Sequence, residues 1–290
     1  MKILVSTDTS CLVNNTFFNK YDISVFPLNV IIDEKEYLDG VTINQETLNE
    51  EMRANKTIKT STPPLGSIIE YFEGLFEKGY DHIIHFTISS KLSSMYKLFT
   101  NVSKEYFDNK ITVIDSYSVS IIMLSQVMYA YDEIQKGTSI DAIVGNIELM
   151  KQKGAAICVP ENLKALKNGG RISPAVAAVG NMVGLKPVIA LVDGELTKTG
   201  MTRVAKKAMI DYIGEVINKN PASDFDYTVI SFDANEKLIE SVKNHLAELI
   251  GEENVIEGII PINVCAHCGP GTIGLVVSPK INGKSLTKFM

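Results

Sequence analysis

The chain has 290 residues, 45% of them hydrophobic and 21% charged, with a formal net charge of −6. That length holds roughly two domains, and the apolar share is that of ordinary globular protein, which excludes wholesale disorder and a disulfide-stapled miniprotein. A pI near 5.4 argues against nucleic acid as a partner, because such binding draws its affinity from clustered Lys and Arg.

In chain order, β-branched runs alternate with longer stretches of helical period. Residues 3–6 read as a strand. Asp8 follows after only three strongly apolar residues, so the secretory h-region of roughly 7–15 residues is absent and no leader is expected. Residues 23–32 and 83–87 read as further strands. Between them Leu65, Ile68, Ile69, Phe72, Leu75 and Phe76 recur at helical spacing, and Gly79 stands where such a helix stops. Strand 112–115 is followed by the longest apolar stretch, 119–131, which Ser120, Ser125 and Gln126 interrupt and which is too short to span a bilayer. Ser139 heads a periodic segment running to Met150, with Asp141 near its start and Lys151 and Lys153 near its end, the charge order a helix dipole favours. Strands at 156–159 and 228–232 follow. Several of these strands are apolar throughout, as parallel strands covered on both faces should be, so the expected fold class is α/β.

The second half has a different grammar. Residues 187–192 and 195–201 flank Asp193-Gly194, a two-residue hairpin signal. A long helix is expected from about Thr202 to Asn218, stopped by Pro221. Antiparallel pairing here implies two α/β domains: an N-terminal one with a mainly parallel sheet, and a C-terminal one with a mixed or antiparallel sheet. The boundary falls near 155–160, giving 1–157 and 158–290. Four cysteines suit a reducing compartment, so a cytoplasmic protein is expected.

Three segments place polar groups at helix starts. Thr60-Ser61-Thr62 precedes Pro63-Pro64, where Thr62 is positioned to cap a helix that proline opens, leaving backbone N–H groups for an anion. Ser89-Ser90-Lys91-Leu92-Ser93-Ser94 follows strand 83–87, at the end of a strand where α/β sheets bind ligands. It is neither a Walker loop nor a Gly-x-Ser-x-Gly elbow. Lys167-Asn168-Gly169-Gly170-Arg171 precedes Ser173-Pro174 and a run of small and apolar residues, 175–185, that either packs closely or leaves room for a ligand.

Cys265-Ala-His267-Cys268 runs into Gly269-Pro270-Gly271. A redox pair would normally open a helix, whereas the glycines fit a turn. A zinc site needs four ligands, and only the distant thiols of Cys11 and Cys158 remain. A third reading has the Gly-rich loop deliver His267 to a site. His82, His85 and His245 lack ligand-spaced partners and read as core or surface residues. Asp8 and Asp115 end strands, where carboxylates often receive loop N–H bonds.

Taken together and in order, these segments resemble the DegV family: Thr7-Asp8-Thr9-Ser10, Pro27-Leu28-Asn29-Val30, Thr60-Ser61-Thr62-Pro63-Pro64, Ser89 to Tyr96, Val113-Ile114-Asp115-Ser116, Leu166 to Ser173, Lys186-Pro187 and His267 to Gly274. The resemblance implies two α/β domains holding one long-chain fatty acid, such as palmitate, stearate or oleate, in a buried tunnel between them. It also implies a carrier similar to FakB subunits, which present the lipid to a separate ATP-dependent fatty acid kinase; the acyl phosphate formed feeds phospholipid synthesis. The family's carboxylate-binding threonine and serine fall on Thr60 and Ser93, its His-x-Gly-Pro-Gly histidine on His267 and its Gly-Gly-Arg arginine on Arg171. Ser61, Thr62 and Ser94 stand beside them. Thr62 replaces a frequent glutamine, Ser94 a frequent glycine and Cys268 a frequent threonine or valine.

On that reading the 175–185 stretch lines part of the tunnel, with Ala175, Val179 and Met182 near the head group or along it. Arg171, Arg203, Lys206 and Lys207 would meet ATP phosphates or an acidic kinase surface. No cofactor or metal is expected. A monomer suits a carrier that docks on a kinase, and transient membrane contact is compatible with it. The rival readings are an independent acyl hydrolase using Ser93 and His267, for which no acid to orient the histidine is identifiable, and a thiol redox or metal module at Cys265 and Cys268.

Overall fold

The structure, a computed structural model, describes residues 1–11, 15–161, 163–170 and 184–289. The N-terminal half runs β1 (Ile3–Asp8), α1 (Asn15–Lys20), β2 (Ser24–Phe26), β3 (Asn29–Ile32), β4 (Lys35–Leu38), α2 (Gln45–Arg53), β5 (Ile58–Ser61), α3 (Leu65–Glu77), β6 (His82–Thr87), α4 (Met95–Tyr106), β7 (Ile111–Asp115), α5 (Ser120–Gln135) and α6 (Ile140–Met150). The C-terminal half continues with β8 (Ala155–Val159), α7 (Lys164–Asn168), β9 (Lys186–Val192), β10 (Glu195–Thr202), α8 (Ala205–Ile217), β11 (Phe225–Phe232), α9 (Glu236–Ile250), β12 (Val255–Ile259), α10 (Ile262–Cys268) and β13 (Thr272–Pro279).

The first half is built on a parallel sheet of order β2-β1-β6-β7. Its central strands are buried on both faces, which is why they read as continuous apolar runs. On one side Phe26, Phe72 and Phe99 meet edge to face with centroids 5.4–5.7 Å apart. Burying each such ring contributes about 1.5–3 kcal/mol. The expected strand 23–32 is two strands. Pro27 has no N–H to donate, and the chain turns there, so β2 joins the parallel sheet while β3 enters a small antiparallel sheet of order β4-β3-β5.

The second half is a mixed sheet of order β10-β9-β8-β13-β11-β12, antiparallel except for β11 with β12. Asp193-Gly194 forms the expected hairpin turn, both residues at positive φ. β8 straddles the expected division between 157 and 158, and all its pairing lies within this sheet. The central strand β13, buried along its whole length, was not legible beside the Gly-rich turn that precedes it. Gly274 in its middle is required by crowding: a Cβ there would lie 2.9 Å from the Ile157 carbonyl oxygen and 3.1 Å from Ile230 Cγ1.

The apolar stretch 119–131 is the body of α5. Every residue from Ser120 to Ala130 is buried, because the helix packs against β1 on one side and β13 on the other. A helix apolar all round belongs inside, and this one joins the two halves through a shared core containing Val5 and Phe86 as well as Ile230 and Val276. Among the described residues, no helix is long and apolar enough to cross a membrane.

Candidate functional site

β5 delivers the first group of hydroxyls. It pairs antiparallel with β3, setting Thr60 opposite Val30 and Ser61 opposite Asn29. Two prolines then end the strand, and α3 begins at Leu65 with Pro64 at its N-cap and no side-chain capping bond. Thr62 therefore does not cap the helix as its position suggested; two prolines separate it from the first turn, and its side chain is exposed.

The second group comes from the loop after β6. Two strand-end carboxylates hold it. Asp8 Oδ2 accepts from the Ile88 N–H at 2.9 Å and its Oδ1 from the Ser10 N–H at 2.8 Å; Asp115 Oδ1 accepts from the N–H groups of Ser90 and Tyr117, each at 3.0 Å. Both carboxylates thus do what strand-end carboxylates often do. Burial pushes the Asp8 carboxyl up to about 6, against the pull of those backbone donors. Fully buried Ser89 donates through Oγ to the Gly194 carbonyl at 2.8 Å, fastening the β9–β10 hairpin of the second half to this loop. Ser93 and Ser94 follow just before α4, which begins at Met95 with no side-chain cap from Ser94.

The third contribution is α10. One of the three readings open from sequence has the Gly-rich turn present His267; the structure puts Cys265, His267 and Cys268 in a helix, with the turn after it at Gly269 and Gly271, both at positive φ. Asn263 and His267, four residues apart, share one helix face. His267 Nε2 lies 2.9 Å from Thr60 Oγ1. The ring also lies against Gly169, the residue that closes α7: a Cβ there would collide with Nδ1 and come 3.0 Å from Cε1. Asn263 is buried, donating its N–H to Asp39 Oδ2 at 3.1 Å and its amide to Thr9 and Ser10. Burial raises the Asp39 carboxyl to about 7, partly offset by donors from Thr9 and Asn263.

These three segments enclose one cavity of about 310 Å³. Thr60, Ser61, Thr62, Ser93, Ser94 and His267 all line it, although they are drawn from three distant stretches of chain. Ser10, Asn29 and Asn263 add polar surface that the sequence reading did not single out, while Leu28, Ile88, Leu92, Met95, Val119, Leu196 and Val264 make the rest apolar. Leu196 comes from the hairpin of the second half, so both halves build the wall. Arg203, Lys206 and Lys207 are exposed beside the start of α8 and do not line the cavity; Lys207 Nζ pairs with Asp211 at 2.8 Å. Arg171, Ala175, Val179 and Met182 lie outside the described residues.

The rival chemistries fare poorly against this geometry. The hydrogen bond of His267 Nε2 goes to Thr60 rather than to Ser93, and among the described residues no Asp or Glu lines the cavity. Cys265 and Cys268 are free and buried, and burial pushes the Cys265 thiol well above its ordinary value, away from a reactive thiolate. Among the described residues, no group of three or more His, Cys, Asp or Glu is arranged to hold a metal.

The family model described as "Uncharacterised protein, DegV family" matches residues 2–280. A DegV domain-containing protein of Clostridium acetobutylicum is 29% identical over 280 residues, 96% of this chain and 99% of that protein. The fatty acid binding DegV family protein of Streptococcus agalactiae superposes with a TM-score of 0.86 at 24% identity, over 97% of this chain and 99% of that one. The Streptococcus pneumoniae fatty acid kinase B3 protein, solved loaded with linoleic acid, superposes with a TM-score of 0.80 at 18% identity, over 96% and 99%.

Proposed function

The chain belongs to the DegV family, and we propose that it binds one long-chain fatty acid between its two halves, its carboxylate at Thr60, Ser93 and His267. The observation that carries this reading is the cavity itself, whose lining combines hydroxyls and an imidazole with aliphatic side chains. Solved structures of the same fold support it: the Streptococcus agalactiae protein is described as fatty acid binding, and the Streptococcus pneumoniae protein is loaded with linoleic acid.

Thr60 and Ser93 donate hydroxyl hydrogens to the head group, with Ser61 beside them; the Ser61 Oγ has no hydrogen-bond partner among the described residues. Neutral donors suit a carboxylate that must later leave, since no formal cation is buried when the site empties. Thr62 and Ser94 form its exposed rim. Leu92, Met95, Val119 and Leu196 receive the acyl chain. Burying about fourteen methylenes contributes on the order of 10 kcal/mol before ordering costs, so few polar contacts are needed.

The carrier makes no bond itself. Acting as a cytoplasmic monomer, it offers the carboxylate at the rim to a separate ATP-dependent fatty acid kinase, and the acyl phosphate formed supplies phospholipid synthesis. Exposed Arg203, Lys206 and Lys207 face that partner. The test is a reconstituted kinase assay alongside calorimetric titration with stearate. Arg203→Glu with Lys206→Glu lowers kinase turnover and leaves stearate affinity intact; unchanged turnover overturns the docking assignment. A wild-type chain that takes up no fatty acid overturns the whole reading.

A further inference from the structure

β5 and α10 each border two cavities. Thr60 and Ser61 line the lipid cavity, while Ile58 and Lys59 from the start of the same strand line a second, larger one of about 530 Å³. α10 is shared likewise: Asn263 and His267 face the first cavity, Ala266 and Cys268 the second.

The second cavity is strongly basic. Arg53, Lys56, Lys59 and Lys164 line it, and among the described residues no Asp or Glu does, in a chain whose net charge is −6. Arg53 pairs with Asp233 and Lys56 with Glu51 at 2.6 Å, carboxylates that stand outside the lining. Lys59 makes no ion pair among the described residues, and Lys164 Nζ donates to Asn55 Oδ1 at 3.1 Å. Asn55 and Asn168 supply neutral donors to the same space. Like charges gathered in one concavity repel, and an anion of several charges relieves them better than a single carboxylate. Lysine serves phosphate well as a point charge on a flexible stem.

We infer that this basic cavity, lined by the exposed side chains of Arg53, Lys56, Lys59 and Lys164 beside the lipid site, binds a phosphate-bearing ligand of the di- or triphosphate class. The elements it draws on are those that hold His267. Thr60 of β5 meets Nε2, and Gly169, closing the helix that carries Lys164 and Asn168, presses on the other side of the ring. A ligand bridging Lys59 and Lys164 therefore acts on both supports of the imidazole, and by linkage fatty acid and phosphate change each other's affinity by the same factor.

The inference goes beyond lipid binding and is tested without it, by calorimetric titration of the full chain with pyrophosphate, inorganic phosphate and ATP. Pyrophosphate is expected to bind, more weakly as salt rises, and about tenfold or more weakly in Lys59→Gln/Lys164→Gln. Lys104→Gln/Lys110→Gln, outside the cavity lining, should bind as wild type. ATP binding more tightly than pyrophosphate identifies a nucleotide as the source of the phosphates; equal or weaker ATP binding identifies free phosphate compounds. No pyrophosphate binding at low salt, undiminished binding in Lys59→Gln/Lys164→Gln, or binding of polyglutamate in place of pyrophosphate overturns the site.

Discussion

Gly169→Ala separates a steric role from a conformational one at the heart of the site. The backbone of Gly169, at φ −74° and ψ −13°, is one that alanine adopts freely, so by conformation alone the change should stabilise the fold by about 0.4–1 kcal/mol. The obstacle is His267, whose Nδ1 the added methyl would strike and whose Cε1 and Cγ it would approach to 3.0 and 3.1 Å. Carbon contacts sit at about 3.5 Å or more, so ring and methyl must part by roughly 1 Å or more. The 2.9 Å bond from Nε2 to Thr60 Oγ1 does not survive a displacement of that size. Crowding costs about 1–3 kcal/mol and the lost hydrogen bond about 1 kcal/mol, a total of about 2–4 kcal/mol. The assay is urea denaturation of wild type, Gly169→Ala, His267→Ala and the double variant. In the His267→Ala background the obstacle is gone, and the same glycine change should become neutral or mildly stabilising. That reversal is a coupling of about 3 kcal/mol. An equal penalty in both backgrounds would refute the steric reasoning.

Thr60→Val keeps the shape of the side chain and deletes the hydroxyl; stearate affinity by calorimetry should fall about tenfold with the fold intact, and unchanged affinity would remove Thr60 from the head-group site. Asp8 and Asp39 titrate near 6 and 7 instead of 3.8 because burial disfavours their charge. Their folded values are raised, so the stability they contribute is complete below about pH 4 and is lost as pH rises through about 6 and about 7, on the order of 3 and 4 kcal/mol. His85 works the other way: burial holds it near 3, so its contribution is present above about pH 6.5 and falls away in acid. Urea midpoints of wild type should drop relative to Asp39→Asn as pH climbs from about 4 to about 8; parallel profiles would contradict the assignment. Gly274→Ala sets a methyl against the Ile157 carbonyl and Ile230, costing about 1–3 kcal/mol. A wild-type unfolding midpoint would show that β13 has room to spare.

The sequence exposed the features that local chemistry decides. Parallel strands announced themselves as apolar runs, Asp193-Gly194 as a hairpin, and the hydroxyls of Thr60 to Thr62 and Ser93 to Ser94 as groups at element ends. Their convergence on one cavity was implied by family resemblance rather than by spacing, since Thr60 and His267 are 207 residues apart. What stayed hidden depended on tertiary context. β5 is too short and too polar to read as a strand until β3 supplies its partner. α10 is short and ends in Gly269-Pro270-Gly271, so the turn masked the helix and, with it, the shared face of Asn263 and His267. Thr62 looked like a cap because Ser/Thr before proline usually is one, yet here the second proline takes the cap position. The lining role of Leu196 depends on the Ser89 to Gly194 bond between halves, which no periodicity reveals.

Mass spectrometry of solvent extracts from protein purified without added lipid tests the central claim most directly, run beside folded Thr60→Ala and Ser93→Ala variants. One long-chain fatty acid per native chain, lost or reduced in both variants, is the predicted result. A native chain that carries no fatty acid and takes up none when it is supplied would contradict the account.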